Sequence, residues 1–174
     1  MWSNGRRFSF GYTESVRLSE GALCTRCEHG EYLKLNLDVG CGAGKGANPR
    51  GDVNVDVKSG KLPNFIQASI YNLPFKDKTF DKCFCHHVLE HLDEPIRALT
   101  ELRRVSRQSE IRVPYWICAS GCNDHRSSFT CSWFKKVLSK HFILDLRVLR
   151  NFRYNHSELI GFFYYEIICR VQWR

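Results

Sequence analysis

Apolar and polar residues alternate along residues 32–39, and this alternation is the clearest pattern in the first part of the chain. Successive side chains of a β-strand point to opposite faces, so the alternation predicts a first strand here. A second alternation at 53–57 predicts another strand, and a short apolar piece follows at 65–68. β-branched and aromatic residues predict further strands. These strands lie at 80–85, 110–113, 142–149 and 162–171.

Residues 93–107 have the spacing of an amphipathic helix. We expect Asp93 to cap the first turn, where Pro95 is tolerated because its missing N–H would have no partner there. The apolar stripe consists of Ile96, Leu99, Leu102 and Val105. On the exposed face, Arg97 is expected to pair with Glu101.

A second helix is predicted at 133–141, so strands alternate with helices over most of the chain. This order predicts an α/β fold, a Rossmann-like three-layer sandwich whose mostly parallel sheet is covered on both faces. The last two strands have only a loop between them, at 151–161, and therefore predict an antiparallel C-terminal hairpin at the sheet edge. Residues 1–30 show no clean period and are expected to form an N-terminal extension or lid. Residues 31–174 are expected to form the single domain.

Length and composition limit the class of protein. The 174 residues and the hydrophobic content of 43% suit one domain with one substantial core. No apolar run reaches the roughly 18 to 20 residues that cross a bilayer, and no apolar segment follows the N-terminal arginines. We therefore expect a soluble, cytoplasmic protein that is not exported and has no membrane partner. The pattern leaves the oligomeric state open.

Nine cysteines are scattered at irregular spacings, mostly in apolar strands, where a free thiol packs as a small hydrophobe. Only Cys24 and Cys27 have the spacing of zinc ligands, with His29 close behind them. A structural zinc site needs about four ligands, and no second such pair follows. We expect free thiols and no metal, while metal binding by Cys24 and Cys27 stays open.

The formal net charge of +8 and the pI near 9.1 favour polyanions such as RNA, or an anionic small substrate. The basic residues nevertheless lie in separate segments, without the interleaved aromatic residues of a known RNA-binding module. A solvated basic surface is the simpler interpretation.

A glycine-rich loop, Leu37-Asp-Val-Gly-Cys-Gly-Ala-Gly44, follows the first predicted strand, where ligands bind in open α/β sheets. Its glycines let a ligand approach the backbone and permit a positive φ. A dinucleotide fingerprint fails because its third glycine position falls on Lys45, and a phosphate-binding P-loop fails because its first falls on Val39. The acidic residue in the loop, Asp38, would repel a pyrophosphate and attract a cation.

S-adenosylmethionine supplies such a cation, with an α-ammonium, a sulfonium and a ribose that carries two hydroxyls. Asp56, at the end of the second strand, is placed to accept hydrogen bonds from the ribose hydroxyls. Two carboxylates, Asp38 and Asp56, would then bracket the ligand. The alternative is that both are ordinary turn residues.

At these positions the chain resembles class I methyltransferases, in particular the "methyltransferase type 11"-like branch that acts on small molecules. Four motifs carry the resemblance and occur in family order. They are the glycine loop, Leu73-Pro-Phe-Lys-Asp-Lys-Thr-Phe-Asp81, Val88-Leu-Glu-His-Leu92 and Val113-Pro114. The resemblance covers the chain from about Tyr32 to its C-terminus and implies S-adenosylmethionine as the cofactor.

The resemblance also implies roles for single residues. The residues expected at the cofactor are Asp38, Gly40, Cys41, Gly42, Asp56, Val57, Ser69, Ile70 and Cys85. Gly40 and Gly42 are expected against the methionine part, Asp56 at the ribose, and Ser69 and Ile70 beside the adenine. Cys85, His86 and His87 are expected at the open end of the fourth strand, near the sulfonium. Glu90 and His91 would orient the following turn, Asp81 would be structural, and Asp124-His125 is similar to a D-x-x-H motif near the substrate.

The chain departs from the family pattern at three places. Ser69 stands where an aspartate usually accepts from the adenine amino group. The segment 105–110 is shorter than usual and lacks glycines, and residues 46–51 leave little room for a first helix. Adenine recognition is then expected to be weaker or to pass to a backbone amide, and catalysis is expected to be slower, while the binding loop is intact.

Methyl transfer is an in-line displacement at a carbon already activated by positive sulfur, so the protein mainly aligns the nucleophile and excludes water. If a general base is used, His86, His87 and His125 are the candidates, since imidazole titrates near neutral pH. The expected function is methyl transfer to an O, N or C nucleophile of a small molecule. The alternatives are an RNA or protein methyltransferase that needs a partner, and a non-catalytic module that binds the cofactor.

Overall fold

The computed structural model describes residues 6–9, 15–18, 34–42, 49–115, 124–155 and 160–174. Two strands, β1 (Arg6–Ser9) and β2 (Ser15–Leu18), form an antiparallel hairpin. The sequence pattern did not predict these strands within residues 1–30. The Cys24, Cys27 and His29 cluster lies outside the described residues.

Seven strands form the main sheet, with helical segments between several of them. The strands are β3 (Asn36–Val39), β4 (Val53–Asp56), β5 (Phe65–Gln67), β6 (Phe80–His86), β7 (Ser106–Pro114), β8 (Phe142–Asn155) and β9 (Ile160–Gln172). A 3₁₀ turn covers Leu89–His91, and the helices are α1 (Pro95–Val105) and α2 (Cys131–Val137).

The strand order is β5-β4-β3-β6-β7-β9-β8. The first five strands are parallel, while β9 runs antiparallel to both β7 and β8. The predicted Rossmann-like α/β fold with an antiparallel C-terminal hairpin is thereby confirmed. The carboxyl ends of β3, β4 and β6 lie side by side, which is where this fold binds ligands.

The two faces of the sheet differ in polarity. Strand register places Leu37, Val55, Cys85, Ile111 and Cys169 on one face, and all of them are buried. Both α1 and α2 add apolar side chains to this core. The opposite face carries polar and charged residues such as Lys82, Glu110 and Arg170, because side chains alternate along each strand.

Helix α1 differs in detail from the prediction. Glu94, not Asp93, precedes its first turn, and no side chain caps it. The buried stripe contains Ala98 in place of Ile96, which is 58% exposed. The predicted Arg97–Glu101 pair does not form, because Glu94 binds Arg97 while Glu101 binds Arg104 at 2.6 Å.

The boundaries predicted for β7, α2 and the two strands of the C-terminal hairpin were wrong. Strand β7 begins at Ser106, directly after α1, whereas the sequence predicted a start at residue 110. Helix α2 begins at Cys131, where Thr130 Oγ1 accepts a hydrogen bond from the Trp133 amide, and it ends at Val137, four residues earlier than predicted. Strands β8 and β9 extend into the predicted loop, as far as Asn155 and from Ile160.

None of the helices in the described part of the chain is long and apolar enough to span a membrane. The cytoplasmic location stays a prediction.

Candidate functional site

A cavity of about 740 Å³ opens at the carboxyl ends of β3 and β4. Its volume falls in the range of small-molecule and cofactor sites. The lining comes from strand ends and the segments that follow them, including residues 87–92, and from the segment around residues 124–126. The lining residues are Val39, Gly40, Val55, Asp56, Val57, Lys58, Ala68, Ser69, Ile70, Tyr71, His87, Val88, His91, Leu92, Asp124 and Arg126.

Gly40 directly follows β3 and has φ 71°, in the left-handed region that favours glycine. Its N–H donates to the Val55 carbonyl at 2.8 Å, which ties the loop to β4. A Cβ at this position would lie 2.2 Å from Val88 Cγ2. The glycine is therefore required by the adjacent Val88 side chain, a contact that the sequence pattern did not reveal.

Asp56 ends β4 and lines the cavity. Its Oδ2 accepts from the Gly42 amide at 3.0 Å, and its Oδ1 accepts from the Lys58 amide at 2.9 Å. Each carboxylate oxygen has two lone pairs, so both oxygens can accept a second hydrogen bond. The carboxylate thus holds the glycine loop in place and keeps the capacity to bind a hydroxyl group. Gly42 itself is not among the lining residues.

The apolar part of the cavity lies beside β4 and β5. Val57 leaves 66% of its surface exposed here, while Ile70 is buried and Ala68 is partly buried. Ser69 also lines the cavity, and its hydroxyl accepts from the Tyr71 amide at 3.3 Å. These side chains form an apolar wall with one hydroxyl, which suits the flat face of a heterocycle.

Asp38 is fully buried and does not line the cavity. Its Oδ2 accepts from the Arg50 amide at 2.8 Å, with the Arg50 guanidinium at 3.6 Å. Burial raises the pKa of this carboxyl more than Arg50 lowers it. The structure therefore shows Asp38 holding the segment between β3 and β4, and a direct contact with a ligand stays a prediction.

The two predicted cysteines have buried side chains and do not line the cavity. Burial raises the pKa of the Cys41 thiol to about 12 and that of the Cys85 thiol still further. Both thiols are neutral at neutral pH, so neither is an activated nucleophile. The other described cysteines, Cys83, Cys131 and Cys169, are also free.

His87 lies at the cavity between two buried carboxylates. Its Nε2 is 3.4 Å from Glu166 Oε2, and its Nδ1 is 3.4 Å from Glu90 Oε1. Hydrogen bonds to Glu166 and Glu90 outweigh burial and raise the pKa of His87 to about 9. The imidazole is therefore protonated at neutral pH, so this predicted base is a fixed cation in the structure.

His86 points away from the cavity, because side chains alternate along β6. Burial, with the nearby Arg50 and Arg112, lowers its pKa to about 4. Its Nε2 is 3.3 Å from Glu110 Oε1 but forms no hydrogen bond, so burial prevails over this single contact. His86 is thus a neutral residue of the polar sheet face, away from the cavity.

His125 lies next to the cavity, between the lining residues Asp124 and Arg126. Its ring meets the His91 ring edge to face, with the centroids 5.1 Å apart. The main-chain carbonyl of Glu90 accepts from the Arg126 amide at 2.7 Å and from the Ser127 amide at 3.1 Å. The segment around His125 is therefore fastened to the turn that contains Glu90 and His91.

Several residues that line the cavity or contact its lining were not predicted from the sequence. Val88 and Glu166 act through contacts with residues that are distant in sequence, which periodicity cannot reveal. Arg126 and Lys58 follow predicted site residues directly and could have been found from that proximity. Glu90 and His91 were predicted only to orient a turn, yet His91 lines the cavity.

Comparison with known proteins points to methyltransferases, the class that the sequence motifs resemble. The family model described as "Methyltransferase domain" matches residues 37–110. An O-methyltransferase of Aspergillus nomiae is 31% identical over 109 residues, covering 49% of this chain and 48% of that protein. A tRNA U34 carboxymethyltransferase of Nautilia profundicola is 27% identical over 133 residues, covering 72% of this chain and 43% of that protein. The chain spans less than half the length of the curated relatives that it matches.

A solved structure of a putative methyltransferase from Bacillus halodurans has the same fold. It superposes with a TM-score of 0.62 at 13% identity, covering 80% of this chain and 92% of that one. The fold is thus that of the Rossmann-like methyltransferases. With the family match over residues 37–110, it confirms the resemblance to class I S-adenosylmethionine-dependent methyltransferases that the sequence predicted.

The residues at the cavity fit S-adenosylmethionine, the cofactor of this class. A carboxylate at Asp56 suits the ribose hydroxyls, and the exposed apolar side chain of Val57 suits the adenine. The cavity is large enough for the cofactor, and its lining also includes His91, Asp124 and Arg126.

Proposed function

We propose that this domain transfers the methyl group of S-adenosylmethionine to an O, N or C nucleophile of a small molecule bound in the same cavity. The observation that carries the proposal is that one cavity is lined by two sets of residues. Asp56 and Val57 suit the cofactor, and His91, Asp124 and Arg126 suit an acceptor. A single site that holds both partners is what an in-line displacement requires.

The chain's own residues would bind and orient the cofactor and the acceptor, and would exclude water from the site. Asp56 would hold the ribose, while Val57 and Ile70 would cover the adenine. The bound cofactor supplies a methyl group already activated by positive sulfur, so the chain needs to supply alignment more than acid or base. His87, a cation at neutral pH that is held between Glu90 and Glu166, would not act as a base.

Calorimetric titration with S-adenosylmethionine and S-adenosylhomocysteine tests the cofactor half of the proposal. We expect saturable binding that Asp56→Ala weakens at least tenfold, or ~1.4 kcal/mol, through loss of a charged hydrogen-bond partner. The matched control is Asp81→Ala. Asp81 lies at the N-terminal end of β6, away from the cavity, and pairs with Arg107 at 3.6 Å. Equal affinities in wild type and Asp56→Ala would refute the role of Asp56.

A second candidate, an RNA methyltransferase, is favoured by the tRNA-modifying relative and by the net charge of +8. Transfer of isotope-labelled methyl groups distinguishes the two, with a low-molecular-mass cell extract and total RNA offered in parallel. Label in the small-molecule fraction supports our proposal. Label in RNA, with RNA binding that weakens steeply as salt rises, supports the alternative. Cofactor binding without transfer to either would favour a non-catalytic module.

A further inference from the structure

Three side chains with metal-binding donor atoms meet beside the cavity: Glu90, His91 and His125. Their donor atoms, one carboxylate oxygen and two ring nitrogens, all lie within 4.8 Å of one another. Two come from the 3₁₀ turn after β6, and the third comes from the segment that precedes α2. The cluster therefore joins two parts of the chain that are distant in sequence.

Backbone hydrogen bonds hold this cluster in position. Two amides, of Arg126 and Ser127, donate to the Glu90 carbonyl, and the Ser127 hydroxyl donates to the Leu92 carbonyl at 3.2 Å. His91 Nδ1 lies 3.1 Å from the Asp124 carbonyl oxygen. A carbonyl only accepts, so Nδ1 carries the proton and Nε2 presents a lone pair. Metal-ligating histidines are oriented by hydrogen bonds of this kind.

The carboxylate of Glu90 has an unsatisfied oxygen. Glu90 is 1% exposed, its Oε1 faces His87, and its Oε2 is buried without a hydrogen-bond partner among the described residues. A buried carboxylate oxygen without a partner costs free energy, which a bound cation would offset. Oε1 and Oε2 can therefore serve different partners, His87 and a cation.

We propose that Glu90, His91 and His125 bind one divalent transition-metal ion of the Zn²⁺ class. Two imidazoles and one carboxylate form a donor set that Zn²⁺ uses with a fourth position open. At metal–ligand distances of about 2.1 Å, tetrahedral ligands lie about 3.4 Å apart, which small side-chain rotations from the present separations would reach. His91 also lines the cavity, so the open position is next to the space for the acceptor.

Titration of the metal-free chain with Co²⁺ tests this site without the cofactor or any acceptor, so its outcome is independent of the proposed methyl transfer. The background is the variant Cys24→Ser/Cys27→Ser, which removes the other candidate ligands. We expect one equivalent of Co²⁺ with visible bands of a nitrogen- and oxygen-ligated ion and without thiolate charge-transfer bands.

Loss of a ligand should weaken this binding. In the same background, His91→Ala and His125→Ala should each reduce Co²⁺ affinity at least ~10-fold, while the control His141→Ala, whose ring contacts Trp173, should not. Circular dichroism verifies that the variants are folded. The proposal is overturned if the wild-type chain binds no Co²⁺, if both histidine variants bind it as tightly as the background, or if binding disappears with Cys24 and Cys27. Should the variants not fold, the spectrum of the folded background protein decides alone.

Discussion

Val88 Cγ2 lies 2.2 Å from the point that a Cβ on Gly40 would occupy, so β3 and the turn after β6 fit together only because residue 40 is a glycine. Both residues line the cavity. Gly40 is therefore needed for two reasons, its positive φ of 71° and its lack of a side chain.

Gly40→Ala should lower the free energy of unfolding by about 3 kcal/mol, since it combines a strained φ with an overpacked contact. Adding Val88→Ala should recover part of this loss, because it relieves the contact but not the φ. Denaturant unfolding of both single variants and the double variant gives a coupling energy of at least ~1 kcal/mol. Additive effects would show that Val88 does not restrict this position.

The indole of Trp173 donates to Ser109 Oγ at 2.9 Å in the buried core. Ser109→Ala should cost about 2 kcal/mol, because it leaves the indole N–H without a partner. Combining it with Trp173→Phe should cost less than the sum of the two single changes, because the donor is then absent as well. Thermal unfolding of the wild type, the two single variants and the double variant measures these losses of stability. Strictly additive losses would contradict the pairing of Trp173 with Ser109.

Glu110 is the centre of the polar sheet face, within 3.1 Å of Lys82, Arg112 and Arg170. Burial alone would raise its pKa, but hydrogen bonds from Arg170 and Lys82 prevail and lower it from 4.5 to about 2. A depressed folded-state pKa gives stability that is fully present above pH 4.5 and is lost as the pH falls towards 2.

Glu110→Gln should therefore lower the free energy of unfolding at pH 7 by about 3 kcal/mol and flatten its decline under acidic conditions. Urea unfolding across the acid range measures both effects. The control Glu94→Gln removes a carboxylate from the exposed pair with Arg97, where a small loss is expected. If the free energy of unfolding falls as steeply with pH in Glu110→Gln as in the wild type, Glu110 is not the group that causes the acid loss of stability.

Local patterns were sufficient to predict much of the fold. Alternation located β3 and β4, and the helix period located α1, because each depends on neighbours within one element. The early start of β7 was missed because its first residues are polar. Ser106 and Ser109 are nevertheless buried, since Ser106 donates to the Leu102 carbonyl and Ser109 accepts from Trp173.

The candidate site was harder to predict because its contacts are nonlocal. The sequence located Asp56 and Gly40 at the cavity from a motif, but it could not separate His86 from His87. His86 lies on the polar face of the sheet. His87 adopts a φ of 55° and lies between two carboxylates, from Glu90 in the 3₁₀ turn and from Glu166 in β9. Burial and partners, which give these neighbours opposite pKa shifts, depend on tertiary packing.

Val57 leaves its apolar side chain largely exposed at the cavity, in a position that a bound adenine would cover. Covering it removes apolar surface from water, so Val57→Ser should weaken binding of S-adenosylhomocysteine about fivefold, or ~1 kcal/mol. Global stability should hardly change, because the side chain is exposed without ligand. Ile96→Ser is the matched control, an exposed apolar residue on α1 outside the cavity lining, and should leave affinity unchanged. Calorimetric titration of the three proteins measures the difference. Equal affinities for wild type and Val57→Ser would place the adenine elsewhere, whereas a loss confined to Val57→Ser assigns it to the apolar wall beside β4.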